Sequence, residues 1–185
     1  MRALPDILPS VQGYIDKHRA DGGLWPVALA GSGIPMYPLK LLELWDWLER
    51  TRPTSIVELG AGCTTAVFAE YRAKHGGQVV TIEQDEAHAE LVRSRLNGFD
   101  NIDQRILIRP VQFSDQVCQY EVDWPALALG DSIDFAYIDG PANKKTSDGR
   151  KQICLDAVEI AAWLGTPTIL FDVRVDSARY FAEHA

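Results

Sequence analysis

Short apolar segments alternate with helical segments along residues 36–185, and this alternation constrains the fold more than any other feature of the sequence. The predicted strands are, in chain order, TSIVEL, QVVTIE, a strand within QRILIRPVQF, IDFAYIDG and PTILFDV. Strands that alternate with helices of roughly 10 to 16 residues form parallel βαβ units. We therefore predict an α/β fold: a Rossmann-like, doubly wound, mostly parallel sheet in a three-layer α/β/α sandwich.

The remaining segments set the predicted domain organisation. Residues 1–35 are predicted as an N-terminal lead-in or cap segment, and residues 36–185 as one Rossmann-like domain. The helix within YPLKLLELWDWLERTRP has apolar residues on one face: Leu41, Leu44, Trp45 and Leu48. A later helix is predicted to begin near Arg150, with Asp148 as its N-cap. Because only one helical segment follows the fifth strand, either the domain is minimal and lacks the usual C-terminal edge strands, or the sequence stops short of them.

The charge of the chain limits its partners. The sequence has 18 Lys and Arg against 26 Asp and Glu, a net charge of −8. Nucleic-acid binding depends on surplus basic residues, so we predict no nucleic-acid partner. No segment approaches the roughly 18 apolar residues of a membrane span, and prolines interrupt the N-terminus where a signal peptide is continuously apolar. We predict a cytoplasmic protein without a membrane partner, and the oligomeric state stays open.

The three cysteines, Cys63, Cys118 and Cys154, are far apart and form no C-x-x-C pair. This spacing is not typical of a disulfide framework or a zinc site. We predict that the three cysteines behave as small, buried apolar residues of a protein in a reducing compartment. We also predict no metal site.

A glycine-containing turn follows the first predicted strand, in IVELGAGCTT. Glycine permits positive φ and lets the backbone approach a ligand, and Thr64 or Thr65 is placed to cap the next helix. In a doubly wound sheet, ligands bind outside the carboxyl ends of the strands, where this turn lies. Glu83 ends the second strand, 21 residues after Gly62, and a carboxylate there accepts hydrogen bonds from a ribose diol. The pattern favours a cofactor that contains a nucleoside; a purely structural turn is the alternative.

The charge around the turn distinguishes between cofactors. A dinucleotide fingerprint has a third glycine where this chain has Thr65, and a phosphate-binding loop has a lysine that is absent here. Glu58, two residues before Gly60, would repel a pyrophosphate but favour a cation such as a sulfonium. The residues therefore favour S-adenosylmethionine.

The segments VELGAGCTT, TIEQD and FAYIDGP resemble strand-end motifs of class I S-adenosylmethionine-dependent methyltransferases, over roughly residues 36–175. The resemblance implies that the methionine and ribose parts of the cofactor lie on Glu58, Gly60, Ala61 and Gly62, with Thr64 and Thr65 following in the turn. It also implies that Glu83 binds the ribose hydroxyls. By position alone, Gln84 and Gln112 would lie beside the adenine.

The segment after the fourth strand, YIDGPANKKTSDGRK, carries the candidate acceptor residues. Asp139 is predicted as general base or substrate orienter, with a structural turn carboxylate as the alternative. Lys144, Lys145 and Arg150 could clamp an anionic acceptor, or they could be a solvated loop. Tyr37 is a candidate for the acceptor pocket. We predict a small-molecule or sugar acceptor methylated at oxygen.

Two rival functions stay open from the sequence. A nicotinamide-dependent oxidoreductase shares the fold, but Glu58, the missing third glycine and the absence of a Tyr-x-x-x-Lys pair count against it. A non-catalytic domain that binds S-adenosylmethionine is the other, because the missing edge strands usually help to shape the acceptor pocket. Asp139 and Asp172 could share a metal as in catechol-type enzymes, but the asparagine expected after strand five is absent.

Overall fold

The structure is a computed structural model that describes residues 37–96, 105–127, 129, 133–142, 144–164, 168–172 and 174–184. The predicted lead-in segment lies outside these residues. The helices are α1 (Tyr37–Thr51), α2 (Cys63–His75), α3 (Glu86–Leu96), α4 (Asp156–Leu164) and α5 (Val175–His184), with a 3-10 turn at Pro125–Leu127. The strands are β1 (Ser55–Leu59), β2 (Gln78–Glu83), β3 (Arg105–Ile108), β4 (Val111–Phe113), β5 (Val117–Tyr120), β6 (Phe135–Ile138), β7 (Ile153–Cys154) and β8 (Thr168–Phe171).

The described residues group into two compact units. The first comprises residues 37–52, 62–76 and 94–96, and therefore holds α1 and α2. The second comprises the other described residues and holds all the strands, α4, α5 and most of α3. None of the described helices is long and apolar enough to cross a membrane.

The second unit contains a five-stranded sheet in the order β3-β2-β1-β6-β8, and every neighbouring pair is parallel. The first strand in the chain, β1, is central. The next two strands of the sheet, β2 and β3, lie on one side of it, and β6 and β8 lie on the other side. This topology confirms the predicted doubly wound α/β fold. Because all five strands are parallel, their carboxyl ends share one edge, and β8 is an outermost strand among the described residues.

The central strands are buried along their whole length. Every residue of β1 and of β6 is buried, which fits the near-continuous apolar runs SIVEL and FAYI. One core cluster packs Val57 and Val80 of this sheet with Cys118 of β5 and Ile160 of α4. Residues of β5 and α4 therefore share a core with the central strands of the sheet.

The first unit is held by contacts between α1 and α2. The apolar face predicted for α1 is buried, at 0–3% exposure: Leu41, Leu44, Trp45 and Leu48. Trp45 meets the ring of Tyr71 edge-on, with centroids 6.3 Å apart. At the ends of the helices, Glu49 accepts from Lys74 at 2.8 Å and from His75 at 2.7 Å.

A second, three-stranded sheet in the order β4-β5-β7 was not predicted. The segment QRILIRPVQF, predicted to hold one strand, holds two, because Pro110 separates β3 from β4 and β4 pairs antiparallel with β5. The helix predicted from near Arg150 begins instead at Asp156, since Ile153 and Cys154 pair with β5. Asp148 is therefore not a helix cap, and its carboxylate accepts the hydroxyl of Thr146.

Candidate functional site at the carboxyl edge of the sheet

Gly60 follows β1 and needs to be glycine for two reasons. Its φ is +89°, which L side chains rarely adopt, and a Cβ there would lie 2.8 Å from the backbone nitrogen of Gly140. The Gly60 N–H donates to the carbonyl of Ile82 at 2.8 Å. The turn after β1 therefore contacts the ends of β2 and β6.

Gly140 is the other half of this close approach. A Cβ on Gly140 would lie 2.6 Å from the nitrogen of Gly60 and 2.5 Å from the Tyr120 hydroxyl. The N–H groups of Asp139 and Gly140 both donate to the carbonyl of Leu59, the first at 2.9 Å. The ends of β1 and β6 therefore meet backbone to backbone.

Gly62 differs from Gly60. Its φ of −179° is extended backbone that any residue adopts, and no atom of the described residues lies within 4 Å of a Cβ built there. Its N–H donates to the Thr65 hydroxyl at 2.8 Å. The prediction that Thr64 or Thr65 is the N-cap is wrong, because α2 already begins at Cys63 and Gly62 holds the cap position. Both threonines are buried in the first turn of α2.

Glu83, the last residue of β2, is tied to the turn by its carboxylate. One oxygen accepts the Ala61 N–H at 2.8 Å. The other accepts the N–H groups of Gln84 at 2.7 Å and Asp85 at 2.9 Å. The side chain is 6% exposed. The predicted partnership of Glu83 with the glycine turn is therefore a direct contact, made to the backbone of the turn.

Glu58 lies inside the sheet. The strand register pairs it with Thr81, whose hydroxyl donates to its carboxylate at 2.7 Å. The side chain of Glu58 is 0% exposed. The carboxylate of Glu58, which precedes the glycine turn in the sequence, therefore lies within the sheet.

Gln84 and Asp139 lie at the same edge. The side-chain carbonyl of Gln84 accepts the N–H of Ala142 at 3.2 Å, which links the end of β2 to the segment after β6. Asp139 immediately follows β6 and is half-buried. The structure therefore brings together five predicted site residues on the second unit: Gly60, Ala61, Glu83, Gln84 and Asp139.

Gln112 lies in the segment after strand three, from which its place beside the adenine was inferred. Strand three ends at Ile108, and Arg109, the next residue, donates its N–H to the Glu83 carbonyl at 2.8 Å. Gln112 is exposed on β4, where it pairs with Gln119 in the small sheet. Its place beside the adenine stays a prediction. Tyr37 is the first residue of α1, and its side chain lies outside the described residues.

The basic residues after Asp139 do not converge on one point. The Lys144 ammonium lies 4.0 Å from the centre of the Phe113 ring. Lys145 pairs with Lys151 through an isolated backbone bridge. Arg150 is 80% exposed and contacts Asp148 at 3.4 Å. An open cavity of about 210 Å³ is lined by Gln116, Thr146, Arg150, Lys151, Ile153, Asp176, Arg179, Tyr180 and Glu183.

Sequence reasoning missed two side chains at the carboxyl edge. His88, in the first turn of α3, lies 2.9 Å through Nε2 from the carbonyl of Ala61, so this nitrogen carries a proton that it donates. Arg174 follows β8 and donates to the carbonyls of Asp139 and Pro141. A signal for Arg174 existed, because it lies three residues beyond the end of β8 and so near the same edge as Asp139.

A buried acid under the small sheet was also missed. Both carboxylate oxygens of Asp156 accept the Tyr120 N–H, at 3.1 and 3.2 Å. Burial raises the pKa of Asp156 to about 7. Burial likewise raises the pKa values of Cys118, to about 11, and of Cys154. These two thiols are buried as predicted, whereas Cys63 is half-buried.

No model of a known protein family matches the sequence, and no curated protein matches it either. Among solved structures, the chain is similar to the crystal structure of SAH-bound Podospora anserina methyltransferase PaMTH1, with a TM-score of 0.53. The alignment covers 93% of this chain and 71% of that chain at 15% sequence identity. The chain has the fold of that methyltransferase. At this identity, the likeness establishes the fold and leaves the function to the site.

Proposed function

We propose that this protein is an S-adenosylmethionine-dependent methyltransferase that acts on a small-molecule acceptor, at an oxygen. The observation that supports it most is the contact of the Glu83 carboxylate with the Ala61 N–H. A carboxylate at the end of the second strand, beside the glycine turn after the first, suits a ribose. The related fold of PaMTH1 was solved with SAH bound.

The turn residues would hold the cofactor through backbone and carboxylate groups. Gly60, Ala61 and Gly62 would lie along its methionine and ribose parts, because a glycine-containing backbone admits close approach. Glu83 already accepts three N–H groups, and a carboxylate has about four acceptor positions, so one remains for a ribose hydroxyl. Gln84 would lie beside the adenine.

Glu58 would supply the charge that selects the cofactor. It is fully buried and bonded to Thr81, and a charge in the interior acts over longer distances than one in water. A negative potential beneath the turn favours a sulfonium over a pyrophosphate. This is the argument against the nicotinamide-dependent alternative.

Asp139 would act on the acceptor. When bound, S-adenosylmethionine supplies the methyl group for an in-line displacement, so the protein mainly aligns the acceptor and removes its proton. Asp139 emerges at the carboxyl edge next to Gly140, whose backbone contacts the glycine turn. Tyr37, Lys144, Lys145 and Arg150 stay candidates for contacting the acceptor, and an anionic acceptor in the cytoplasm stays part of the proposal.

Isothermal titration calorimetry with S-adenosylhomocysteine, S-adenosylmethionine and NADH tests the proposal on the purified chain. We expect binding of both adenosyl ligands and none of NADH. Binding of NADH alone would refute it. Binding of both adenosyl ligands without methyl transfer to any hydroxyl compound in an acceptor library would favour the non-catalytic alternative.

Replacing Glu58 by Gln tests the charge argument. We expect E58Q to weaken S-adenosylmethionine, which is positively charged at sulfur, more than S-adenosylhomocysteine, which is neutral there. T81V is the matched control, because it removes the hydroxyl bond and keeps the carboxylate. Equal losses for the two ligands in E58Q would mean that Glu58 does not sense the charge.

A further inference from the structure

The segment Asp139–Ala142 follows β6 and contacts residues at the ends of three other strands of the main sheet. Its N–H groups bind the carbonyl of Leu59 at the end of β1, and its Gly140 crowds Gly60. Its last N–H, on Ala142, donates to Gln84 after β2. We call residues 139–142 the clasp segment. Its position affects the glycine turn and Asp139 at once.

Arg174 binds the clasp segment from the far side, beyond β8. Its Nη2 donates to the carbonyl of Asp139 and, at 2.7 Å, to the carbonyl of Pro141. These two carbonyls flank Gly140. One guanidinium nitrogen therefore donates to the carbonyls on both sides of Gly140, the residue that contacts Gly60.

The other nitrogens of the Arg174 side chain have no hydrogen-bond partner among the described residues. Its Nε and Nη1 are buried, and neither has a hydrogen-bond partner among the described residues. The described residues also provide Arg174 with no carboxylate within ion-pair distance. Polar atoms that are buried without a hydrogen-bond partner destabilise a fold, and an apolar side chain of similar size often stabilises it instead. Stability alone therefore does not account for an arginine here.

We propose that Arg174 is a positioning residue, which holds the clasp segment so that Asp139 and the glycine turn keep the arrangement that the site needs. The proposal rests on the proposed function for the meaning of that arrangement. An arginine suits this role because its planar fork donates in fixed directions, whereas a lysine ammonium does not fix the orientation of two carbonyls. The substitution leaves the backbone of the next helix intact, since α5 uses only the Arg174 carbonyl, which accepts the Ala178 N–H at 2.9 Å.

The test compares R174M and R174K with the control R179M, which changes an exposed arginine on the following helix α5. Three quantities are measured for each protein: the melting temperature, hydrogen–deuterium exchange of residues 139–142 and 58–62, and the affinity for S-adenosylhomocysteine. For R174M we expect exchange in the clasp segment to be at least about tenfold faster and the affinity about tenfold weaker, with a melting temperature no lower than that of R179M. R174K should fall between R174M and the unmodified chain.

The outcomes separate the two levels of the proposal. Unchanged exchange and affinity in R174M would overturn the positioning role while leaving the proposed function intact. A melting temperature that falls in parallel with the affinity, in both Arg174 variants, would mean that Arg174 is merely structural and would also overturn it. If the unmodified chain binds no S-adenosylhomocysteine, the proposed function fails, and exchange in residues 139–142 alone decides whether Arg174 holds the clasp segment.

Discussion

Two regions of the second unit carry the candidate chemistry, and they are built differently. At the carboxyl edge, Gly60, Glu83 and Gly140 are held by buried contacts between the ends of neighbouring strands. In the basic loop, residues 144–151, the charged side chains are exposed and contact nearby groups: Lys144 an aromatic ring and Arg150 an acid two residues away. The first region is held by buried contacts between strand ends, and the second by exposed contacts of its side chains.

The difference concerns what holds each region together. Water does not reach the backbone N–H groups that a buried carboxylate accepts. Removing the carboxylate therefore leaves these groups without an acceptor and reduces stability. Exposed ion pairs contribute little, because water and salt screen them. We therefore expect substitutions that crowd Gly60 or remove the Glu83 carboxylate to reduce stability, and substitutions of loop charges to leave it nearly unchanged.

The largest effect is expected from G60A. Alanine at φ +89° is strained by about 1–3 kcal/mol, and its Cβ would meet the Gly140 backbone at 2.8 Å, adding about 1–3 kcal/mol. G62A is the matched control, with an expected cost of at most about 1 kcal/mol, because its backbone is extended and its Cβ would be uncrowded. Urea unfolding measures both.

G62A also sharpens the proposed function. If a ligand lies against the Gly62 backbone, G62A should lose affinity for S-adenosylhomocysteine although it stays folded. Two glycines with equal unfolding costs would remove the distinction drawn between a crowded and an open position.

The next largest effect is expected from D156N, and it depends on pH. Burial raises the pKa of Asp156 from 3.8 to about 7, so the folded state holds its proton more tightly than the unfolded chain does. Wild-type stability should therefore fall as pH rises from about 4 to about 7, by at most about 4 kcal/mol from this group. Asparagine does not ionise. The melting temperature of D156N relative to the wild type should rise over this range, and a constant difference would contradict the buried, raised-pKa acid.

A smaller effect is expected from E83Q. The amide keeps one oxygen but turns an NH₂ group toward backbone N–H groups of Ala61 or of Gln84 and Asp85, leaving at least one buried donor without an acceptor. The expected cost is about 2 kcal/mol by urea unfolding. E121Q, on an exposed glutamate, serves as control. If the two variants lose equal stability, the carboxylate does not stabilise the turn.

The fold and the strand-end residues could be predicted because the sequence encodes them locally. Apolar runs such as SIVEL and FAYI indicate buried parallel strands, and parallel strands bring their carboxyl ends to one edge. This is sufficient to place Gly60, Glu83 and Asp139 near one another. The sequence could not distinguish the crowded Gly60 from the open Gly62, because both are glycines. They differ only because Gly140 approaches Gly60.

The small sheet and Arg174 could not be predicted in the same way. Ile153 and Cys154 form a two-residue strand only because β5 lies beside them, a pairing across 36 residues that no local pattern shows. Pro110 carried a signal that was missed, because a proline has no backbone N–H to donate to a strand ladder. The sequence shows Arg174 as a cation after the last strand. Its hydrogen bonds to two carbonyls, however, depend on the conformation of the clasp segment.

The smallest effect is expected from replacing Lys144, Lys145 and Arg150 together by glutamine. Exposed charges each contribute within about 0.5 kcal/mol, and the Lys144 contact with Phe113 about 0.5–1 kcal/mol, so the triple variant should lose about 1 kcal/mol or less. D115N is the informative comparison, because the Asp115 carboxylate anchors the loop by accepting the Ser147 N–H at 3.0 Å and its hydroxyl at 2.8 Å. One altered residue in D115N should cost about as much as three altered charges, and affinity for S-adenosylhomocysteine should stay unchanged in both. If the triple variant instead unfolds far more easily than D115N, the loop charges hold the fold, and the contrast between the two regions does not stand.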